Sequence, residues 1–211
     1  MKEEQAVLDF FTQKENLPLG LAVAEQMDAQ REHMNNRLWQ ELSPRLCALI
    51  NEHEPTWQVQ LTKDKNAPDS LIGLHFTMKT EQPLYLQPLM EQQYLGGVWR
   101  IYLGLIWTAA PTQDQIGLPE VARLKLSMRK SGFKSNENLF AWQWTTFHPR
   151  RKDFLLGYAQ QPEKLLNDFE AVFRASVTEH LVSIEQANAA LKTAPPRLSA
   201  SLNQLRDELI D

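Results

Sequence analysis

Few side chains in this sequence stand at spacings that chemistry requires. Pro68-Asp69 precedes an apolar strand pattern that ends in Met78-Lys79, the order in which metal-dependent phosphodiester cleavage presents an aspartate and a lysine. Such a site needs a second carboxylate two positions before the lysine. A divalent cation is held by several anionic oxygens, and the lysine steadies the nucleophile or the scissile phosphate. Here that position is Thr77, which supplies no anionic ligand, so a site around Asp69 and Lys79 is expected to be degenerate. The five histidines, His33, His53, His75, His148 and His180, stand apart from one another and from ligand-spaced cysteine or carboxylate. Glu32-His33 lacks the second histidine of a helical zinc motif. His180 falls on an apolar helical stripe and reads as a core histidine, and His75, opposite the core side of its strand, reads as a surface residue. Cys47, the single cysteine, reads as a small buried hydrophobe. It leaves no internal disulfide to form and fits a reducing compartment. Neither a Gly-x-Ser-x-Gly elbow nor a glycine-rich phosphate loop occurs. The expectation is no catalytic residue, no metal and no cofactor.

Binding is better represented than catalysis. The net charge is −4 over 211 residues, but it is uneven. Residues 1–114 carry 9 basic and 15 acidic side chains, residues 115–155 carry 8 and 3, and residues 156–211 carry 5 and 8. The basic middle consists of Arg123, Lys125, Arg129, Lys130, Lys134, Arg150, Arg151 and Lys152. A basic tract in an acidic chain attracts anionic partners. Beside it, Trp142 and Trp144 could stack bases if their face of the sheet were open, although alternating tryptophans are more often core. The second binding candidate is a protein partner. It would dock on the acidic N-terminal helices or on an apolar stripe at the end of the chain, Leu198, Leu202, Leu205 and Leu209.

These residues are positioned by elements that the apolar periodicity marks out. Ala6, Val7, Phe10 and Phe11 predict a helix over 2–14, and a longer helix follows over about 20–42. Ser43-Pro44 reads as a fresh helix start, Ser capping and Pro in the first turn, with one kinked helix as the alternative. Trp57, Val59 and Leu61 alternate, as do Ile72, Leu74, Phe76 and Met78, which predicts two strands. Residues 81–95, with Pro83 and Pro88, read as an irregular or partly helical connection. Trp99, Ile101, Leu103, Leu105 and Trp107 place five large side chains on one face of a central strand over 97–107. A loop over 111–117, a helix over 119–130, a strand over 139–147 carrying Phe140, Trp142 and Trp144 on one face, and a loop over 148–152 come next. Leu165, Leu166, Phe169, Val172, Phe173, Ser176, Val177, His180, Leu181 and Ile184 then predict a long C-terminal helix opened by Pro162.

The fold class is therefore α+β: an antiparallel sheet of about 4–5 strands with helices on one face, a helical N-terminal segment and a long C-terminal helix. The expected division is a single domain over 1–192, its helical part being 1–54, then a proline linker and short helix over 193–211. The N-terminal charge argues against a secretory signal and no window approaches a membrane span, so the expected setting is cytoplasmic, without membrane.

Trp57-Gln58-Val59, Leu74-His75-Phe76, Ile101-Tyr102-Leu103-Gly104-Leu105, the run Ser135 to Trp144 and the helix from Pro162 together resemble a region of bacterial PD-(D/E)-x-K nuclease-superfamily proteins. The likeness spans roughly residues 35–190 and is to the accessory, non-catalytic part of those proteins. It implies a non-enzymatic accessory or protein-interaction module in a bacterial defence or nuclease system. The alternatives are a nucleic-acid-binding module built on the 123–152 region and a divergent metal-dependent nuclease.

Overall fold

A computed structural model describes residues 2–52, 56–62, 72–79, 86–95 and 98–192. Asp69, and the linker and terminal stripe expected at 193–211 with Leu198, Leu202, Leu205 and Leu209, lie outside the described residues. The element order is α1 (Lys2–Thr12), α2 (Leu17–Ile50), β1 (Trp57–Leu61), β2 (Ile72–Met78), β3 (Leu86–Leu95), β4 (Val98–Trp107), α3 (Gln113–Ile116), α4 (Pro119–Lys130), β5 (Leu139–Trp144), α5 (Lys152–Gln160), α6 (Pro162–Ser176), a 3-10 turn (Thr178–His180) and α7 (Leu181–Leu191). The strands form one antiparallel sheet in sequential order, β1-β2-β3-β4-β5. The α+β class holds, with the helices collected on one face.

That face holds the main core. Ile101, Leu103, Leu105 and Trp107 of β4 meet Leu74 and Phe76 of β2, and above them lie Leu38, Leu42 and Leu46 of α2, Leu124 of α4, Phe169 and Phe173 of α6, and Ile184 of α7. The period-two reading of β4 is correct on this side. Phe147 stacks on Phe169 with ring centroids 3.7 Å apart, closing the core beneath α6. The C-terminal helical run is articulated: α6 ends at Ser176 and one 3-10 turn redirects the chain into α7.

Three expectations are revised. Residues 86–95 are not an irregular or helical connection but β3, paired along its length with β4 from Leu86↔Trp107 onward. Proline disguises the strand, since Pro cannot donate to a ladder. The β2 ladder ends at His75↔Leu89, one residue short of Pro88, so Pro88 sits where only one neighbour needs pairing. Second, α2 does not restart at Ser43-Pro44 but runs 34 residues through Pro44. Leu38, Trp39, Leu42, Leu46, Leu49 and Ile50 are buried on both sides of the proline, and their packing outweighs the lost backbone bond. Third, residues 152–160, for which the sequence reading offers no helix, form α5.

A β-bulge accounts for the tryptophans. Leu105 pairs with Ala141 but Ile106 pairs with Leu139, which leaves Phe140 as an extra residue. A one-residue slip turns side chains to the opposite face. Phe140 therefore joins the helix-covered core, edge-on to Trp107 with centroids 5.3 Å apart. Trp142 and Trp144 lie instead on the other face, with Leu89, Tyr102, Ile106 and Leu139, in a second apolar cluster made of strand residues alone.

Candidate functional site

The cationic residues are not gathered in one place. Lys125 and Arg129 of α4 converge with Lys134, just after that helix, on a groove of about 600 Å³ against β5. Its floor is apolar, contributed by Met128, Phe133 and Phe140, and Leu126, 55 % exposed, lies on its wall. Pro119 in the first turn of α4 and Val121, Leu124 and Met128 on its buried side fix the helix so that its basic residues face outward. Arg123 and Lys130 are exposed on the same helix but do not line the groove. Arg150 is elsewhere, its guanidinium 4.7 Å above the Trp99 ring and 3.5 Å from Glu32 of α2. Arg151 turns to Asp153 at 3.2 Å, and Lys152 lines a different groove, between α2 and α5.

Trp142 and Trp144 are brought together, but not as a stacking platform. Their rings meet edge to face, 5.8 Å apart at 85°. Lys134 lies 5.5 Å from the Trp142 centroid and Arg100 lies 4.4 Å from that of Trp144, so each ring already carries an intramolecular cation. Trp142 is 5 % exposed.

The strand-only face also holds a buried polar group. Glu91 of β3 is buried between His75 of β2 and Tyr102 of β4. The His75 Nε2 lies 2.6 Å from one Glu91 carboxylate oxygen, and the Tyr102 hydroxyl donates to the other. His75 is thus a buried partner of a carboxylate, not a surface residue. The sequence reading missed this cluster because Glu91 fell in the segment taken for a connection. Once β3 is recognised, the register puts Tyr102 directly opposite Glu91 on one side and Gly73 opposite it on the other, with His75 two residues along β2, diagonal to the carboxylate. Close strand approach keeps the site tight: a Cβ at Gly73 would stand 2.4 Å from the Met90 carbonyl oxygen, and one at Gly104 would stand 2.0 Å from that of Ala141. Buried charge is costly unless paired and hydrogen-bonded, and here the carboxylate ties three strands together. No group of three metal-binding side chains occurs among the described residues.

His180 is half-buried rather than fully in the core, with Ser127 Oγ of α4 and Oγ of Ser131, which caps that helix, each 3.4 Å from a ring nitrogen. Burial pushes its pKa below the ordinary value, against the opposing pull of Glu179.

The largest unsatisfied surface is apolar. Fourteen large hydrophobic side chains are exposed among the described residues, and eight of them, Val7, Leu8, Phe10, Leu17, Leu19, Leu21, Val23 and Met27, belong to α1 and the first half of α2. Among residues 3–34 none is fully buried. The first half of α2 is therefore an arm beyond the core, with α1 laid against it where Phe11 meets Gly20. At the base of the arm, Met27, Gln30, Arg31 and Met34 of α2 face Lys152, Leu155, Leu156 and Ala159 of α5 across a groove of about 390 Å³. None of the described helices is long and apolar enough to cross a membrane. No family model, curated protein or solved structure matches this chain.

Proposed function

We propose that this protein is a non-enzymatic protein-interaction module that docks through its N-terminal helical arm. One observation carries the reading: more than half of the exposed large hydrophobic side chains are concentrated on residues 7–27. Single exposed leucines are ordinary, but contiguous apolar surface on a monomer marks a place where something else binds. Residues 2–28 carry six acidic and two basic side chains, so the partner surface is apolar with a cationic border. The resemblance of residues 35–190 to an accessory region fits the same role, beside a nuclease in a bacterial defence system. The test is site-specific photo-crosslinking of the full chain in its source cell. A photoreactive residue at Val23 is expected to capture a discrete protein, the chain itself included, whereas one at Val182, exposed on α7, captures none. Equal capture from both positions would sink the reading.

A second reading, nucleic-acid binding, is favoured by the convergence of Lys125, Arg129 and Lys134 on one groove. Phosphate contacts of that kind make binding steeply salt dependent. It predicts a mobility shift with single-stranded nucleic acid at about 50 mM salt, the low end where such affinity is greatest. That shift is lost on reversing the charge of all three. Absence of any shift by the wild-type chain removes this reading.

A further inference from the structure

The arm is self-complementary. Leu19, Val23, Met27, Gln30 and Met34 recur at intervals of four, four, three and four, so they line one side of α2 over about 22 Å at 1.5 Å per residue. The outer half of that side is bare among the described residues, where Leu19 and Val23 are 56 % and 45 % exposed. The inner half forms the wall of the groove shared with Leu155, Leu156 and Ala159 of α5, where Leu156 is 46 % exposed. One end of the stripe lacks a groove and the other end is a groove lacking an occupant. The charges match in the same sense. The outer arm is acidic, and the groove is lined by Lys152 and by Arg31, which is paired with Asp28 at 3.0 Å, with no carboxylate in the lining itself.

We propose that the occupant is a second copy of this chain. This inference rests on the arm being a docking surface and adds what docks there. Two α2 arms pack antiparallel about a two-fold axis close to Met27, the midpoint between Leu19 and Met34. Leu19 and Val23 of each copy fill the α2–α5 groove of the other. This is an isologous interface, in which each contact is made twice and the assembly closes at two copies. Met27, 39 % exposed in the single chain, meets its own counterpart at the centre, where buried apolar contacts contribute most to association.

The full chain is tested by sedimentation and light scattering over a concentration series. The expected result is a particle of twice 24.4 kDa. Met27→Asp places two like charges at the axis and is expected to weaken association by at least about tenfold, with an unchanged circular-dichroism spectrum because the side chain is outside the core. In a Cys47→Ser background, Met27→Cys is expected to form a disulfide-linked dimer under mild oxidation. Leu19→Cys alone does not, since it faces Met34 and not itself. A monomer at every concentration overturns the proposal, as does a dimer that survives Met27→Asp. So does a dimer broken instead by charge reversal at Lys125 and Arg129. If the chain is monomeric while Val23 still photo-captures another protein, the docking role of the arm stands and the second copy is excluded.

Discussion

At the scale of the residue, burial decides which polar groups matter. Glu91 is 2 % exposed and shares its two oxygens between His75 and Tyr102. Removing one member of a buried hydrogen-bonded set leaves its partners with their desolvation cost and no compensation. Glu91→Leu is therefore expected to destabilise the protein by about 3 kcal/mol and Tyr102→Phe by about 1.5 kcal/mol, read from urea unfolding. Losses of under about 0.5 kcal/mol for both, the size of an ordinary surface change, would show that the cluster holds nothing together. His180 is the titrating counterpart. Its folded-state pKa lies below the ordinary 6.5 because burial disfavours the imidazolium. As pH falls below 6.5 the unfolded chain takes up the proton first. Stability is then full above that value and lost as pH descends through the lower folded-state pKa. Comparing unfolding at pH values on either side of 6.5, His180→Asn is expected to show a shallower loss on the acid side than the parent chain; identical slopes would contradict this. Neither residue was legible in the sequence. His75 and Glu91 are 16 positions apart and meet only through strand register, and the last apolar stripe placed His180 in a helix that the 3-10 turn interrupts.

At the scale of the element, what could be read was periodicity, and what escaped was anything proline or a bulge disguises. β1, β2, β4 and α4 follow their alternation or stripe. β3 does not, because Pro88 and the polar run Glu91-Gln92-Gln93 break the pattern of a strand that is nonetheless buried. Some of those polar groups find partners across the core. The Trp39 indole donates to Gln92 Oε1 at 3.1 Å, and the Asn188 side chain of α7 pairs with both the N–H and the carbonyl of Leu86, at 2.8 and 2.9 Å. The single-residue slip at Phe140 cannot be foreseen from a strand whose aromatics alternate, yet it separates Phe140 from Trp142 and Trp144. Pro44 supplies the element-scale prediction. It is exposed, inside a continuous helix whose flanking turns are buried. An interior proline costs a helix about 3 kcal/mol, while its rigidity in the unfolded chain returns less than about 1 kcal/mol. Pro44→Ala is expected to raise stability by about 2 kcal/mol. A fall in melting temperature would mean that the proline itself is needed to seat α2 on the sheet.

At the scale of the molecule, α2 belongs to two regimes. From Asn35 onward it is core, and its Arg45 is clamped to Glu163 and Glu170 of α6, the latter at 3.0 Å. Before Asn35 it is an arm with no fully buried side chain, anchored to the core by the half-buried Met34. A helix gains most of its stability from packing an apolar face, so an isolated arm of this composition is stabilised by what docks on it. Stability should then depend on concentration through the arm and not through the body. Residues 3–20 are exposed or half-buried, and within them Gln5 bonds to Asp9, Asn16 bonds to the Phe10 carbonyl and Phe11 meets Gly20, so a chain lacking residues 2–20 keeps the core that begins at Asn35. In dilute solution its melting temperature is expected to stay within about 2 °C of the full chain, a shift of well under 1 kcal/mol for a protein of this size. At high concentration the two should part. The full chain gains stability as association draws it toward the folded state, and the shortened chain gains none. Scanning calorimetry over a hundredfold range of concentration reads both. A truncated chain that melts much lower in dilute solution would make the arm part of the folding unit and not an appendage held ready for a partner.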